Sequence, residues 1–177
     1  MYNRPLNFNP LSSMATNTKD QENPGFLIRR LQQISVMLFL EKLEPLGITP
    51  MQFTILRIVH EEPGIDQVST ARRAFLDQST VTDVAGRLEQ KGLLIRVPGR
   101  IDRRKKVLRL TSEGEAVLVD ARPLADAARK ELLSGLTREQ KKTVLELISI
   151  IVQGKSDEIL GGPERRPWGR SRNDEDL

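Results

Sequence analysis

Residues 77–94, DQSTVTDVAGRLEQKGLL, decide the fold. Asp77 stands three residues before Thr80, the spacing at which an aspartate caps a helix through the Thr80 amide. Val81, Val84, Ala85 and Leu88 then recur at helical period, so one face is apolar and the other carries Gln78, Ser79, Thr82, Asp83 and Arg87. Gly92 sits where a helix C′ residue belongs. After it the period changes: Leu93-Leu94-Ile95-Arg96-Val97 is β-like, Pro98-Gly99 opens a loop, and Val107-Leu108-Arg109-Leu110 alternates again. The pattern predicts a short polar helix followed by a hairpin.

Charge marks that hairpin. From Arg96 to Arg109 there are seven basic residues and one acid, Asp102, so this segment carries +6 of a net +4 and leaves −2 for the rest of the chain. A run of charge is most often a solvated turn. Six net charges beside a polar helix form instead an electrostatic footprint for phosphate.

Working outward, residues 47–76 predict two further helices. Thr49-Pro50-Met51-Gln52 is a capping box with proline at the first helical position, and Phe53, Leu56, Ile58 and Val59 give an apolar face. Glu62-Pro63-Gly64 stops that helix. Asp66 caps a shorter one ending near Ala74, and Leu76-Asp77 makes the turn. On the N-terminal side, residues 25–46 read as a long helix on Leu27, Leu31, Ile34 and Leu38. On the C-terminal side, Thr111-Ser112-Glu113-Gly114 caps a helix to about Leu133, which Pro123 is expected to kink or divide. Thr137-Arg138-Glu139-Gln140 is a second capping box. The helix after it is apolar around much of its circumference, from Val144 to Val152, which suits burial between helices or subunits.

The fold class is therefore mainly α with a small β-hairpin wing. Residues 47–111 form a winged helix-turn-helix, and residues 24–46 and 112–160 form a helical dimerisation domain. Residues 1–23 and 161–177, rich in Asn, Pro, Ser, Gly and charge, are expected to be disordered tails; Met14 is an alternative start. The chain has no cysteine and one histidine, His60. Disulfides and Cys-based metal sites are thus excluded, and no cofactor is expected. No long apolar run or signal pattern occurs, so a soluble, cytoplasmic protein is expected. No nucleophile–base order and no glycine-rich phosphate loop argue for an enzyme. Aromatic residues are 4% and absent from the basic run, which disfavours single-stranded RNA.

In order and spacing, residues 77–94 and the wing segment 102–114, DRRKKVLRLTSEG, resemble MarR-family regulators. The match runs from about Gly25 to Leu160. The first segment is similar to the family's recognition helix and the second to its wing signature, an Asp-x-Arg followed by a strand and Leu-Thr-x-x-Gly. Residues 25–34, GFLIRRLQQI, look like the first helix of members that control aromatic-acid degradation, including those responding to hydroxynicotinate; many of those carry His where this chain has Phe26. The resemblance implies a homodimer on a pseudo-palindromic duplex, most often as a repressor.

On that reading Gln78 and Arg87 suit base edges, since both offer bidentate geometry. Ser79 and Thr80 suit phosphates or base edges, or serve only as caps. Thr82 and Asp83 complete the face. Arg104 is expected in the minor groove, held extended by Asp102 as in the family pattern, with Arg100, Arg103 and Lys105 on phosphates. The resemblance also implies an effector pocket. Arg29, Arg30, Gln33 and Met37 on the first helix, with Phe53, Arg57 and His60 on the second, are its candidates for a small aromatic carboxylate; taken singly, each is as well read as an ordinary surface or core residue. A weakly specific architectural DNA binder, without an effector, and a protein-binding winged helix both remain open.

Overall fold

A computed structural model describes residues 23–99 and 106–159. Among these, six helices and one hairpin follow in the order α1 (Pro24–Leu43), a 3-10 turn (Glu44–Leu46), α2 (Pro50–Glu61), α3 (Gln67–Ala74), α4 (Gln78–Gln90), β1 (Leu94–Pro98), β2 (Lys106–Leu110), α5 (Ser112–Leu132) and α6 (Arg138–Ile159). Mainly helical structure with a two-stranded wing is what the sequence pattern predicted. The caps also stand where the sequence put them. Thr49 and Gln52 close a reciprocal box on α2, Asp66 caps α3, and Thr111 caps α5. Asn23, placed in the N-terminal tail by its composition, is instead the cap of α1 and accepts from the Gly25 amide at 2.9 Å.

One buried cluster runs from Leu43 to Ala125. Leu43, Ile55, Leu56, Val81, Leu88, Leu94, Leu108 and Leu118 are fully buried within it. Each such side chain contributes about 1.5–3 kcal/mol relative to exposure. The hairpin is antiparallel, with Leu94 opposite Leu110 and Arg96 opposite Leu108. The segment before α3 adds a third rung to it. Gly64 donates to the Leu108 carbonyl at 2.9 Å, the Leu108 amide donates to Ile65 at 2.8 Å, and Asp66 bridges Val107. The wing base is thereby sewn to the start of α3.

α1 lies along α5. Ala121, Ala125 and Ala128 are buried there, and such small side chains let the two helices approach closely. Lys42 reaches Glu131 at 2.8 Å, and the Arg129 guanidinium sits 5.7 Å from the Phe39 ring centre. Pro123 does not divide α5, which runs unbroken from Ser112 to Leu132. Pro123 and Val119, whose carbonyl its ring displaces, are both exposed, so water can satisfy the freed acceptor.

Phe75 closes α3 in the left-handed region, at φ 54°, a conformation the sequence did not betray. Such backbone costs a bulky residue about 1–2 kcal/mol. The turn is held by hydrogen bonds from the Phe75 amide to the Arg72 carbonyl and from the Leu76 amide to the Ala71 carbonyl, while Leu76 packs on the core.

The start of α5 is flush against the entry to β1. A Cβ at Gly114 would fall 2.0 Å from the Leu93 carbonyl oxygen, a backbone atom with no freedom to yield. Thr111 fixes this approach by donating its hydroxyl to Gly92 at 2.6 Å and its amide to Leu93 at 3.3 Å. Gly114→Ala should therefore destabilise the protein by about 2–3 kcal/mol, the upper range for overpacking. Urea denaturation measures this; an unchanged midpoint would show that α5 moves freely.

Candidate nucleic-acid interface

α4 buries Val81, Val84, Ala85 and Leu88, and this fixes what faces outward. Gln78, Ser79, Asp83 and Arg87 are exposed, and Thr82 is half-buried. Ser79, Asp83 and Arg87 recur every four residues and so form one stripe. The five predicted contact residues Arg100, Asp102, Arg103, Arg104 and Lys105 lie outside the described residues. The strands that carry that loop are adjacent to α4, since Leu94 and Leu108 share its core.

The front of the helix is organised by Asp77. Its carboxylate accepts from the Ser79 hydroxyl at 2.5 Å, the Thr80 amide at 2.7 Å and the Thr80 hydroxyl at 2.6 Å. These bonds, the Ser79 one foremost, hold the Asp77 carboxyl far below the usual carboxylate range. Both hydroxyl protons are thus committed to the cap. The Thr82 hydroxyl likewise donates to the Gln78 carbonyl at 2.8 Å. With their protons so engaged, Ser79, Thr80 and Thr82 are left with acceptor capacity, and phosphate needs donors. The exposed side chains on this face whose donors or acceptors are not engaged in these bonds are Gln78, Asp83 and Arg87.

Two cations missed as contacts by the sequence reading border the same surface. Arg72 of α3 and Lys106 of β2 line a concavity of about 540 Å³ together with Asp66, Gln67, Val68, Ser69 and Gln78. Lys106 belonged to the basic run, so charge alone could have found it; Arg72 required the packing of α3 against α4. Its neighbour Arg73 points elsewhere. It clamps α3 to the end of α2 by pairing with Glu61 at 2.7 Å and Glu62 at 3.0 Å, and Arg57, one turn earlier on α2, meets the same Glu61 at 2.7 Å. Arg57, with Arg73 adding to it, lowers the Glu61 pKa.

The effector candidates are dispersed. Arg29, Gln33 and Met37 are exposed on α1, Arg30 is half-buried, and Phe53 belongs to the core. Arg57 is paired with Glu61 as just described. His60 Nδ1 lies 2.6 Å from Glu115 Oε2 at the start of α5. None of the seven lines the concavity above, nor a second one of about 410 Å³ bordered by Leu40, Glu41, Glu44, Gly47, Ile48 and Thr49. Among the described residues no cluster of metal-ligating side chains occurs, and no helix is long and apolar enough to cross a membrane.

Asp77→Ala should lower the melting temperature and, if α4 is the element that meets DNA, weaken duplex binding with it, because it frees the first turn of α4. The pH dependence has a definite sign. A depressed folded pKa gives stability that is fully present above the unfolded value of about 3.9 and is lost as pH falls towards the folded one. The gap in melting temperature between wild type and variant should be constant above about pH 5 and shrink below about pH 4. A gap that persisted unchanged into that acid range would rule out the carboxylate as the cap.

Residues 48–106 match the model of the MarR family. The transcriptional regulator HosA of Escherichia coli is 32% identical over 101 residues, which span 57% of this chain and 75% of HosA. A cysteine-to-serine mutant of E. coli MarR, solved in complex with operator DNA, superposes with a TM-score of 0.69 at 29% identity, covering 72% of this chain and 92% of MarR. Bordetella bronchiseptica BpsR, whose DNA binding is regulated by 6-hydroxynicotinic acid, superposes at 0.70 with 27% identity, covering 74% of this chain and 94% of BpsR. The curated likeness, the matched wing-and-helix segment and the shared architecture agree: the chain belongs to the MarR family of transcriptional regulators, DNA-binding proteins rather than enzymes.

Proposed function

We infer that this chain acts as a homodimer in the cytoplasm, occupies a pseudo-palindromic operator as a repressor, and is released by a small aromatic acid. The stripe Ser79–Asp83–Arg87, exposed on a helix whose other face is sealed and flanked by the most basic segment of the chain, carries this reading. A helix of this size fits one major groove, and a hairpin of this charge fits the adjacent minor groove. Arg87 and Gln78 would read base edges. Arg104 would enter the minor groove beside Asp102, and Arg100, Arg103 and Lys105 would hold phosphates, joined by Arg72 and Lys106.

Two unpaired apolar faces support the dimer. Leu27, Ile28, Leu31 and Ile34 are 41–60% exposed on α1, and Leu145, Leu147, Ile148, Ile150, Ile151 and Val152 are 41–67% exposed on α6. Exposed apolar surface on this scale marks an interface. A two-fold dimer would present two reading helices about one turn of DNA apart, ~34 Å, and so would select a palindrome. The aromatic effector rests on the α1 resemblance and on BpsR. A pocket completed by the second subunit fits the finding that, among the described residues, none of Arg29, Arg30, Gln33, Met37, Phe53, Arg57 and His60 lines either concavity described above. To act at all, such a ligand must favour the arrangement that does not fit DNA.

Sedimentation should give twice the chain mass, and footprinting should show one protected palindrome; uniform protection would favour an architectural binder instead. Arg87→Ala and Arg104→Ala should each weaken operator binding about tenfold or more without lowering the melting temperature. Loss of each phosphate contact should reduce the slope of log K against log salt by about 0.9. Benzoates, hydroxycinnamates and hydroxynicotinates should be screened by thermal shift and by DNA release. Silence across that panel would remove the aromatic effector.

A further inference from the structure

Arg96 is part of the basic run by sequence, yet the structure turns it inward. It lies on β1 opposite Leu108, on the same side of the strand as buried Leu94, and its side chain is only 20% exposed. One terminal nitrogen donates to the Thr82 carbonyl of α4 at 2.8 Å. Its Nε, buried without a hydrogen bond among the described residues, faces the Glu89 carboxylate at 3.6 Å. Gly86 lies between these two positions on the same helix face, and a Cβ there would stand 3.3 Å from the guanidinium. Thr82, Gly86 and Glu89 follow the helical spacing of four and three, so one planar side chain spans nearly two turns of the reading helix.

We propose that Arg96 is a positioning residue for DNA reading: it straps the wing strand to the recognition helix, so that both elements meet the duplex at one fixed angle. The proposal rests on the DNA-reading role of α4 and the wing. α4 and β1 are joined through the short turn at Lys91–Leu93, and the hydrogen bonds that sew the hairpin base run to the segment before α3, so Arg96 supplies a polar tie from the wing strand to α4 itself. A swing of the wing leaves phosphate attraction almost intact, because charge attracts at any angle. It degrades base reading, which requires helix and wing to be in register with adjacent grooves. Arg96 thus acts on selectivity rather than on raw affinity, and Gly86 is the vacancy that lets it do so.

The probes are the duplex that the wild-type protein itself enriches from a randomised pool and a scrambled duplex of equal length. The quantity read is the ratio of the two affinities. Arg96→Met keeps the aliphatic stem and removes the strap; the ratio should fall about tenfold, comparable to one mismatched base pair. Gly86→Ala leaves net charge untouched and favours helix. Its methyl stands 3.3 Å from the guanidinium, which must give by a few tenths of an ångström against Thr82, so the ratio should fall by less than in Arg96→Met while the melting temperature does not. The double variant should be no less selective than Arg96→Met alone, since both substitutions break one contact. A ratio unchanged in Arg96→Met, even if both affinities drop, would make Arg96 a phosphate contact and overturn the proposal. So would additive losses in the double variant. Should Arg96→Met fail to fold, an unchanged ratio in Gly86→Leu, whose larger side chain must take the place of the guanidinium beside Thr82, overturns it alone. If the wild-type protein enriches no sequence, the DNA-reading role itself fails, and the strap falls with it.

Discussion

The burial of one helix face governs everything at the reading surface. Val81, Val84, Ala85 and Leu88 cannot leave the core without exposing apolar surface worth several kcal/mol. With that face sealed, α4 has no rotational freedom, and Gln78, Asp83 and Arg87 must face outward. The same core holds Leu94 and Leu108, so the hairpin departs from a fixed point beside the helix. It also holds Leu118, Ala121 and Ala125, which ties α5 into the reading head rather than leaving it as an appendage.

Polar contacts then divide the charge. Only part of the cationic excess seen in the sequence is free to meet an anion. Arg57 and Arg73 are committed to Glu61 and Glu62, and Arg96 to α4. Arg72 and Lys106 have none of these ties and border the concavity between α3, α4 and the wing base. The hydroxyls at the start of α4 are divided in the same way. Asp77 takes the protons of Ser79 and Thr80, which stabilises the helix end and leaves those side chains poor donors. Helix capping and phosphate binding compete for the same protons here, and the cap has them.

Most of the fold could be read in the sequence because its signals are local. Thr49 with Gln52, Asp66, Asp77, Thr111 and Thr137 with Gln140 each marked a helix start within four residues, and the change of period after Gly92 marked the hairpin. The features that escaped depend on distant neighbours. The left-handed backbone at Phe75 is imposed by Leu76 reaching the core, in a residue type that gives no warning. Pro123 does not divide α5, where it and Val119 are both exposed, so that water can reach the freed acceptor. At the site, the outward face of α4 was legible from its apolar complement. The inward turn of Arg96 was not, because β-strand parity tells which side a residue takes but not that an arginine on the buried side finds a helix carbonyl. The effector candidates were chosen as polar residues on an apolar helix, Arg29, Arg30 and Gln33, with Met37 and Phe53 as an apolar wall and Arg57 and His60 opposite; within a single chain Phe53 is core, Arg57 pairs with Glu61 and His60 with Glu115.

α5 is the element through which any signal from the proposed dimer must pass. Leu118 and Ala121 in its first half, with Ala125 just past the middle, join the core of the reading head, and its last turns carry α1 through Ala128, Lys42–Glu131 and Arg129–Phe39. A single unbroken helix transmits rotation with little loss, and interior packing tolerates few intermediate states. A ligand seated between α1 and a second subunit would therefore not need to touch DNA-contacting residues. In such a dimer it would need only to prefer one angle between the two α5 helices, if that angle sets the spacing of the two reading heads. A tilt of a few degrees over the 21 residues of α5, ~30 Å, displaces its far end by an ångström or two. Base-edge hydrogen bonds tolerate little displacement of that size, whereas phosphate attraction does. Release by such a ligand would thus first take the form of lost selectivity, with residual salt-sensitive binding to any duplex.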